Sequence, residues 1–168
     1  METNKVPPID TNHNLTGCCP KFDPEGWDNQ SLHFKDKLFV RAVTTSAMHV
    51  PLNMGRVFAR VQEHIEDAAA LDPAQAIVLS RDLSAWSSEH YFAVTKDVPG
   101  EEMTTLSGNF TTSVHEGPYT MAKDWVADMR AAAKAAGHKA SRVFLFYTTC
   151  PKCAKAYGKN YVIGLTES

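Results

Sequence analysis

"MTTLSGNFTTSVHEGPYTMAKDWVADM", Met103–Met129, changes its periodicity halfway along. Up to His115 it is rich in Thr, Val and Phe, the β-branched and aromatic residues that suit a pleated strand. Beyond Gly117-Pro118 the pattern becomes helical. Trp125, Met129, Ala132, Ala133 and Ala136 fall on one stripe, and Gly137 is a natural stop. This reading gives a strand region over Met103–Tyr119, with Gly108 as a bend or bulge, and then a helix over Thr120–Ala136.

The same succession occurs earlier. "KLFVRAVTTSAMHV", Lys37–Val50, reads as a strand that Pro51 breaks. From there Met54, Val57, Phe58, Val61, Ile65 and Ala68 recur at three- and four-residue steps, one face of a helix that "LDPAQ" ends. "AIVLSRD" and "EHYFAVTKD" make a hairpin across "LSAWSS". After the second helix come the strands "SRVFLFYTT" and "NYVIGLT". The order is βαββ twice. It predicts an α+β fold, a duplicated βαββ of mostly antiparallel half-sheets, with both helices on one face and a ligand groove on the other.

The totals limit the function classes. A chain of 168 residues, 43% hydrophobic and 21% charged, suits one globular domain. A net charge of −2 without a basic stripe excludes nucleic acid as the expected partner. No apolar run reaches membrane-span length, and "METNKVPPIDTNHNL" lacks a signal-peptide centre, so the expectation is a cytoplasmic protein. Residues 1–16 read as a tail without fixed structure, 17–36 as an ordered arm carrying Phe22 and Trp27, and 37–168 as the domain.

The four cysteines are Cys18 and Cys19 in "TGCCP" and Cys150 and Cys153 in "TTCPKC". In a reducing compartment such clusters read as metal ligands or redox groups. The C-P-x-C turn can present two thiolates to one Zn²⁺ at about 2.3 Å each, and the other pair can complete a tetrahedral set. Adjacent residues do not easily point the same way, so one of Cys18 and Cys19 with His33 or His49 is the alternative set. A glutaredoxin-like redox pair is a competing reading, but only 15 residues follow Cys153, too few for that fold. A third reading is reduced thiols packed as small hydrophobes.

"YFAVTKDVPGEEM" followed by "FTTSVHEGPYTMAKDWVADM" resembles the GyrI-like effector-binding family, through His115, Gly117, Tyr119 and Trp125. The segments "GCCPKFDPEGWD", "HVPLNMG" and "TTCPKCAKAYGKNYV" resemble a bacterial branch whose members carry a hydrolase label. The resemblance covers residues 37–166. It implies the SOUL/GyrI-type duplicated fold and a groove for aromatic or amphipathic small molecules. It also implies an acidic residue ahead of the tyrosine in the strand after helix two. Phe146 stands there instead, so the family's cation binding does not carry over directly.

Alternation in "EHYFAV" puts Glu89 and Tyr91 on one face, and His90, Phe92 and Val94 on the other. The second set suits a helix-covered core, so Glu89 and Tyr91 face the groove, with Trp86 just before them. A carboxylate among aromatic rings has a raised pKa and can act as general acid or base. Tyr119 is a candidate hydroxyl donor. His49 is a ligand contact, a proton carrier or a packed histidine, and Asn53 can cap the first helix. Either His115 or Glu116 faces inward. No G-x-S-x-G, phosphate loop or H-E-x-x-H occurs, so a hydrolase of this sequence must activate water with a carboxylate, a histidine or a metal. The leading expectation is binding of a small molecule in the groove for detoxification. The alternatives are hydrolysis of a strained or activated small molecule and a zinc-stabilised structural module.

Overall fold

The computed structural model describes residues 2–140 and 142–168. Met1, in the expected tail, and Ser141, at the head of an expected strand, lie outside the described residues. The elements are β1 Ser31–Ala47, β2 Val50–Pro51, α1 Met54–Asp67, β3 Val78–Asp82, β4 Ser87–Ala93, β5 Glu102–Glu116, α2 Ala122–Ala135, β6 Val143–Tyr147, α3 Pro151–Tyr157 and β7 Tyr161–Glu167.

Six antiparallel strands in the order β1-β4-β3-β6-β7-β5 close on themselves, because β5 also pairs with β1. The two half-sheets expected side by side are thus one closed barrel, which leaves no open edge among its long strands. Closure needs a bend in β1. Its register against β5 jumps from Phe34 opposite Gly108 to Lys37 opposite Leu106, one extra residue on β1, and Asp36 there has φ 49°. The bulge therefore sits across from Gly108 rather than in it, and it keeps both Phe34 and Phe39 pointing inward.

Alternation sorts the side chains as the sequence pattern predicts. Phe34, Phe39, Leu79, Tyr91, Phe110, Phe144, Ile163 and Leu165 share the interior cluster. Val40, Ala42, Phe92 and Val94 point outward and pack under Val57, Val61 and Ile65 of α1. Leu145 and Val162 pack under Trp125 and Met129 of α2. Helix α2 lies so close to β7 that a Cβ on Gly164 would come within 2.4 Å of Met129 Cε and 2.8 Å of Ser113 Oγ.

Aromatic side chains pack across the interior, on the face where the sequence predicts a groove. Tyr91 stands edge-on to Phe39 and Phe144, with centroids 6.0 and 5.5 Å away. At one end the arm supplies the filling: Phe22 and Trp27 close over Phe146, with centroids 6.0 and 5.9 Å from it. The segment expected to lack structure is fastened as well. Gln75 clasps Val6 through its backbone N–H and carbonyl at 2.8 and 3.1 Å, and Ile9 N–H donates to the Ala74 carbonyl. Val6, Phe22 and Trp27 are buried and anchor the arm on the barrel through apolar contact. No helix among the described residues is long and apolar enough to cross a membrane.

Candidate functional site

Cys150 and Cys153 do not sit in an isolated turn. Cys150 is the N-cap of α3, Pro151 takes the first helical position, and Gly158 ends the helix in a left-handed conformation. Residues three apart on a helix share a face, so both thiols point the same way. Opposite them, Thr16 folds the "TGCC" segment: its hydroxyl oxygen lies 3.3 Å from both the Cys18 and the Cys19 backbone N–H groups. Gly17, at φ 70°, supplies the bend. That bend removes the obstacle expected from adjacency, and both arm cysteines reach the cluster.

The four Sγ atoms lie within 4.8 Å of one another, and those of Cys18 and Cys19 are 3.6 Å apart. A tetrahedral zinc with Zn–S near 2.3 Å spaces its sulfurs about 3.8 Å apart, so the donor set fits such an ion. Outer contacts hold it. Thr16 Oγ is 3.3 Å from Cys153 Sγ, Tyr157 donates its hydroxyl to the Cys19 carbonyl at 2.6 Å, and Tyr119 donates to the Thr149 carbonyl. The Thr16 hydrogen bond is the largest cause holding the Cys153 thiol down to about 7, while burial pushes the Cys19 thiol up. His33 and His49, the alternative ligands, are engaged elsewhere, on Asn109 and Asp82.

Beside this cluster, between the arm and the β6–α3–β7 corner, lies a hollow of about 500 Å³. Asp10, His13, Lys21, Asp23, Tyr157 and Tyr161 are among its lining residues. Thr149, buried at its edge, has a hydroxyl without a hydrogen-bond partner.

The remaining predicted site residues are dispersed. Glu89 does face inward, but it is gripped by Arg81 at 2.5 Å and Arg41 at 2.8 Å. Burial alone would raise its pKa; the hydrogen bonds from the two guanidiniums outweigh that and hold the carboxyl below its ordinary range. It is therefore a fixed anion, not the raised-pKa acid or base expected. Tyr91 is packed in the interior, where burial raises its pKa, and Phe146 lies under the arm. His115 stacks on Trp125 and bonds Ser113 at 2.9 Å. Tyr119 belongs to the surroundings of the cysteines, and Trp86 is exposed at the β3–β4 turn. Asn53 occupies the N-cap position of α1, but its side chain accepts from the Thr45 N–H instead of capping.

His49 stands apart from these. Met48 and His49 form the two-residue turn between β1 and β2, and both are left-handed, at φ 50° and 68°. A non-glycine residue there costs about 1–2 kcal/mol. The turn is clipped to the β3–β4 turn by His49 N–H to the Ala85 carbonyl and Ser46 N–H to the Trp86 carbonyl, each 2.8 Å. The ring Nδ1 lies 2.6 Å from Asp82 Oδ2, and Asp82 Oδ1 accepts from Ser88 Oγ at 2.6 Å. Asp82 is thus engaged through both oxygens, and its contact with Nδ1 leaves the other ring nitrogen, Nε2, for a different partner. The side chains of Met48, Val50, Leu83 and Trp86 are exposed on the same pair of turns. Asp82 escaped the sequence reading because a lone aspartate at a strand end carries no local signal; its partner lies 33 residues away.

A family model described as a bacterial hydrolase matches residues 9–168, which takes in the arm, the cysteines and the whole barrel. No curated protein matches the chain.

Proposed function

The chain belongs to the bacterial hydrolase family, and we propose that it hydrolyses a small activated or strained carbonyl compound with water deprotonated by His49. Three agents could activate water in this sequence. Among carboxylates, Glu89 is locked between two arginines. A metal held by four cysteines has no open position for water, so the zinc we assign to that cluster is structural. Among histidines, His90 has both ring nitrogens engaged, by Thr44 at 2.8 Å and Ser80 at 2.7 Å. His64 shares the buried carboxylate of Glu101 with Arg60, whose guanidinium already balances that charge. His49 alone combines a carboxylate on Nδ1, a strained turn and neighbouring exposed apolar side chains. The 2.6 Å contact between His49 and Asp82 is the observation that carries the reading.

In this reaction Nε2 takes a proton from water as its oxygen bonds to the carbonyl carbon and the carbonyl electron pair moves onto oxygen. Collapse of that intermediate expels the leaving group, which takes the proton back from Nε2. Asp82 is a positioning residue: it holds the Nδ1–H tautomer and offsets the imidazolium charge. Trp86, with Met48 and Val50, offers an apolar shelf for the non-reacting part of the substrate.

The test uses p-nitrophenyl acetate. His49→Gln is expected to lower kcat/KM at least tenfold, toward the 10²- to 10⁴-fold typical of a general base. Asp82→Asn should lower kcat and move the pH profile, and Trp86→Ala should raise KM. A wild-type rate no higher than that of free imidazole, or an unchanged rate in His49→Gln, overturns the assignment.

The binding reading has its own support in the hollow beside the cysteines, which has the volume of a small-molecule site and Phe22, Tyr157 and Tyr161 among its lining residues. The βαββ order and the GyrI-like resemblance favour binding too. A ligand whose affinity falls in Tyr161→Phe and Asp23→Asn, and not in His49→Gln, would support this reading over turnover.

A further inference from the structure

The middle of the arm is hydrogen-bonded to the rest of the fold at one place, the cysteine cluster. Before it, Ile9 N–H bonds the Ala74 carbonyl; after it, Trp27 is buried and its carbonyl accepts from Thr112 Oγ. Between these anchors, residues 10–23 make two hydrogen-bond contacts with α3 and none with the strands among the described residues. They are Thr16 to Cys153 and Cys19 to Tyr157, and both lie at the cysteine cluster. The other hydrogen bonds of this stretch are local, such as Lys21 N–H to the His13 carbonyl and Asn12 N–H to Asp10. Phe22 on Phe146 is its aromatic anchor. The same stretch contributes Asp10, His13, Lys21, Phe22 and Asp23 to the wall of the hollow.

We propose that a zinc ion held by Cys18, Cys19, Cys150 and Cys153 is the latch that orders residues 10–23, so that the hollow exists only in the metal-bound protein. This rests on the zinc reading given above and adds a consequence to it. Apart from Phe22 the loop holds no buried residue, and residues 10–21 have too little buried area and too few bonds outside the cluster to hold themselves. Four thiolate–metal bonds across two segments provide the attachment, because the ligands converge only when the arm is down. Most of the barrel does not depend on the ion: the contacts under both helices are built from residues away from the cluster, and Trp27, which fills one end of the interior, is anchored outside the latched stretch. Metal loss therefore frees the arm's middle and leaves the strands in place.

Lys21 is exposed within the latched stretch and reports on it. The experiment compares trypsin cleavage after Lys21 in protein purified under reducing conditions, in protein stripped by a strong chelator, and in stripped protein reloaded with zinc. One zinc per chain is expected by elemental analysis, with at least tenfold faster cleavage after stripping and protection restored by zinc. The far-UV β signal should be unchanged throughout. Cys18→Ser with Cys19→Ser should be cleaved at the stripped rate without chelator. One bound zinc with equal cleavage in all three samples overturns the latch and leaves the zinc reading standing. Protein that retains no metal, takes up none on reloading and behaves like the cysteine variant overturns both. Loss of the β signal on stripping also overturns the latch, since the ion would then hold the whole fold.

Discussion

The indole of Trp27 in the arm lies against the ring of Phe146 in β6, with centroids 5.9 Å apart and planes inclined at 50°. This contact fills one end of the barrel, and Phe22 packs on both rings. Since Trp27 is 1% exposed, Trp27→Ala leaves a cavity among aromatic rings. The expected loss is about 3–5 kcal/mol, read as a lower midpoint in urea denaturation. A loss below about 1 kcal/mol would mean that the arm does not plug the barrel.

Glu89 separates the structural reading of the interior from the catalytic one. It is 2% exposed and is the shared partner of Arg41 and Arg81. Glu89→Gln removes the carboxylate partner of Arg81 and leaves Arg41 with Glu102 alone. Both arginines reach solvent in part, so the cost should be about 2–3 kcal/mol rather than the 3–5 of a fully buried pair. Activity per folded molecule should stay within about twofold, because this anion does not move a proton in the proposed reaction. An activity loss of a hundredfold with unchanged stability would return the general base to Glu89.

His90 gives the fold an acid-sensitive point. Burial lowers its pKa to about 4, and both of its ring nitrogens are held by hydroxyls. The unfolded chain, with an ordinary histidine near 6.5, binds this proton first as the pH falls. Stability from His90 is therefore complete above pH 6.5 and is lost between 6.5 and about 4, by about 3 kcal/mol in all. His115, also lowered by burial, acts in the same direction. Denaturation midpoints across that window should fall less steeply in His90→Gln. An identical slope would assign the acid sensitivity to other groups.

Much of the architecture is legible in local pattern. The faces of β4 follow from alternation: Phe92 and Val94 lie under α1, while Glu89 and Tyr91 turn inward. The apolar stripes of α1 and α2 give the faces that pack. The cysteine spacing points to a metal cluster, and the four thiols do converge. The C-P-x-C segment is less legible, because a proline that stiffens a turn is equally the first residue of a helix such as α3.

Periodicity is a property of neighbours along the chain, and it was enough for most strands, for α1 and α2 and for the inward and outward faces, though not for α3 or for the first six residues of β1, Ser31–Asp36, which read as part of the arm. Closure of the barrel was not written there. It depends on β5 reaching β1 across a one-residue bulge, a long-range pairing whose energy no local window contains. The same holds for the fate of the groove and for the His49–Asp82 contact. Phe22 and Trp27 fill the space because a chain more than a hundred residues away in sequence folds beneath them. His49 meets its carboxylate because two turns from different hairpins are clipped together in space.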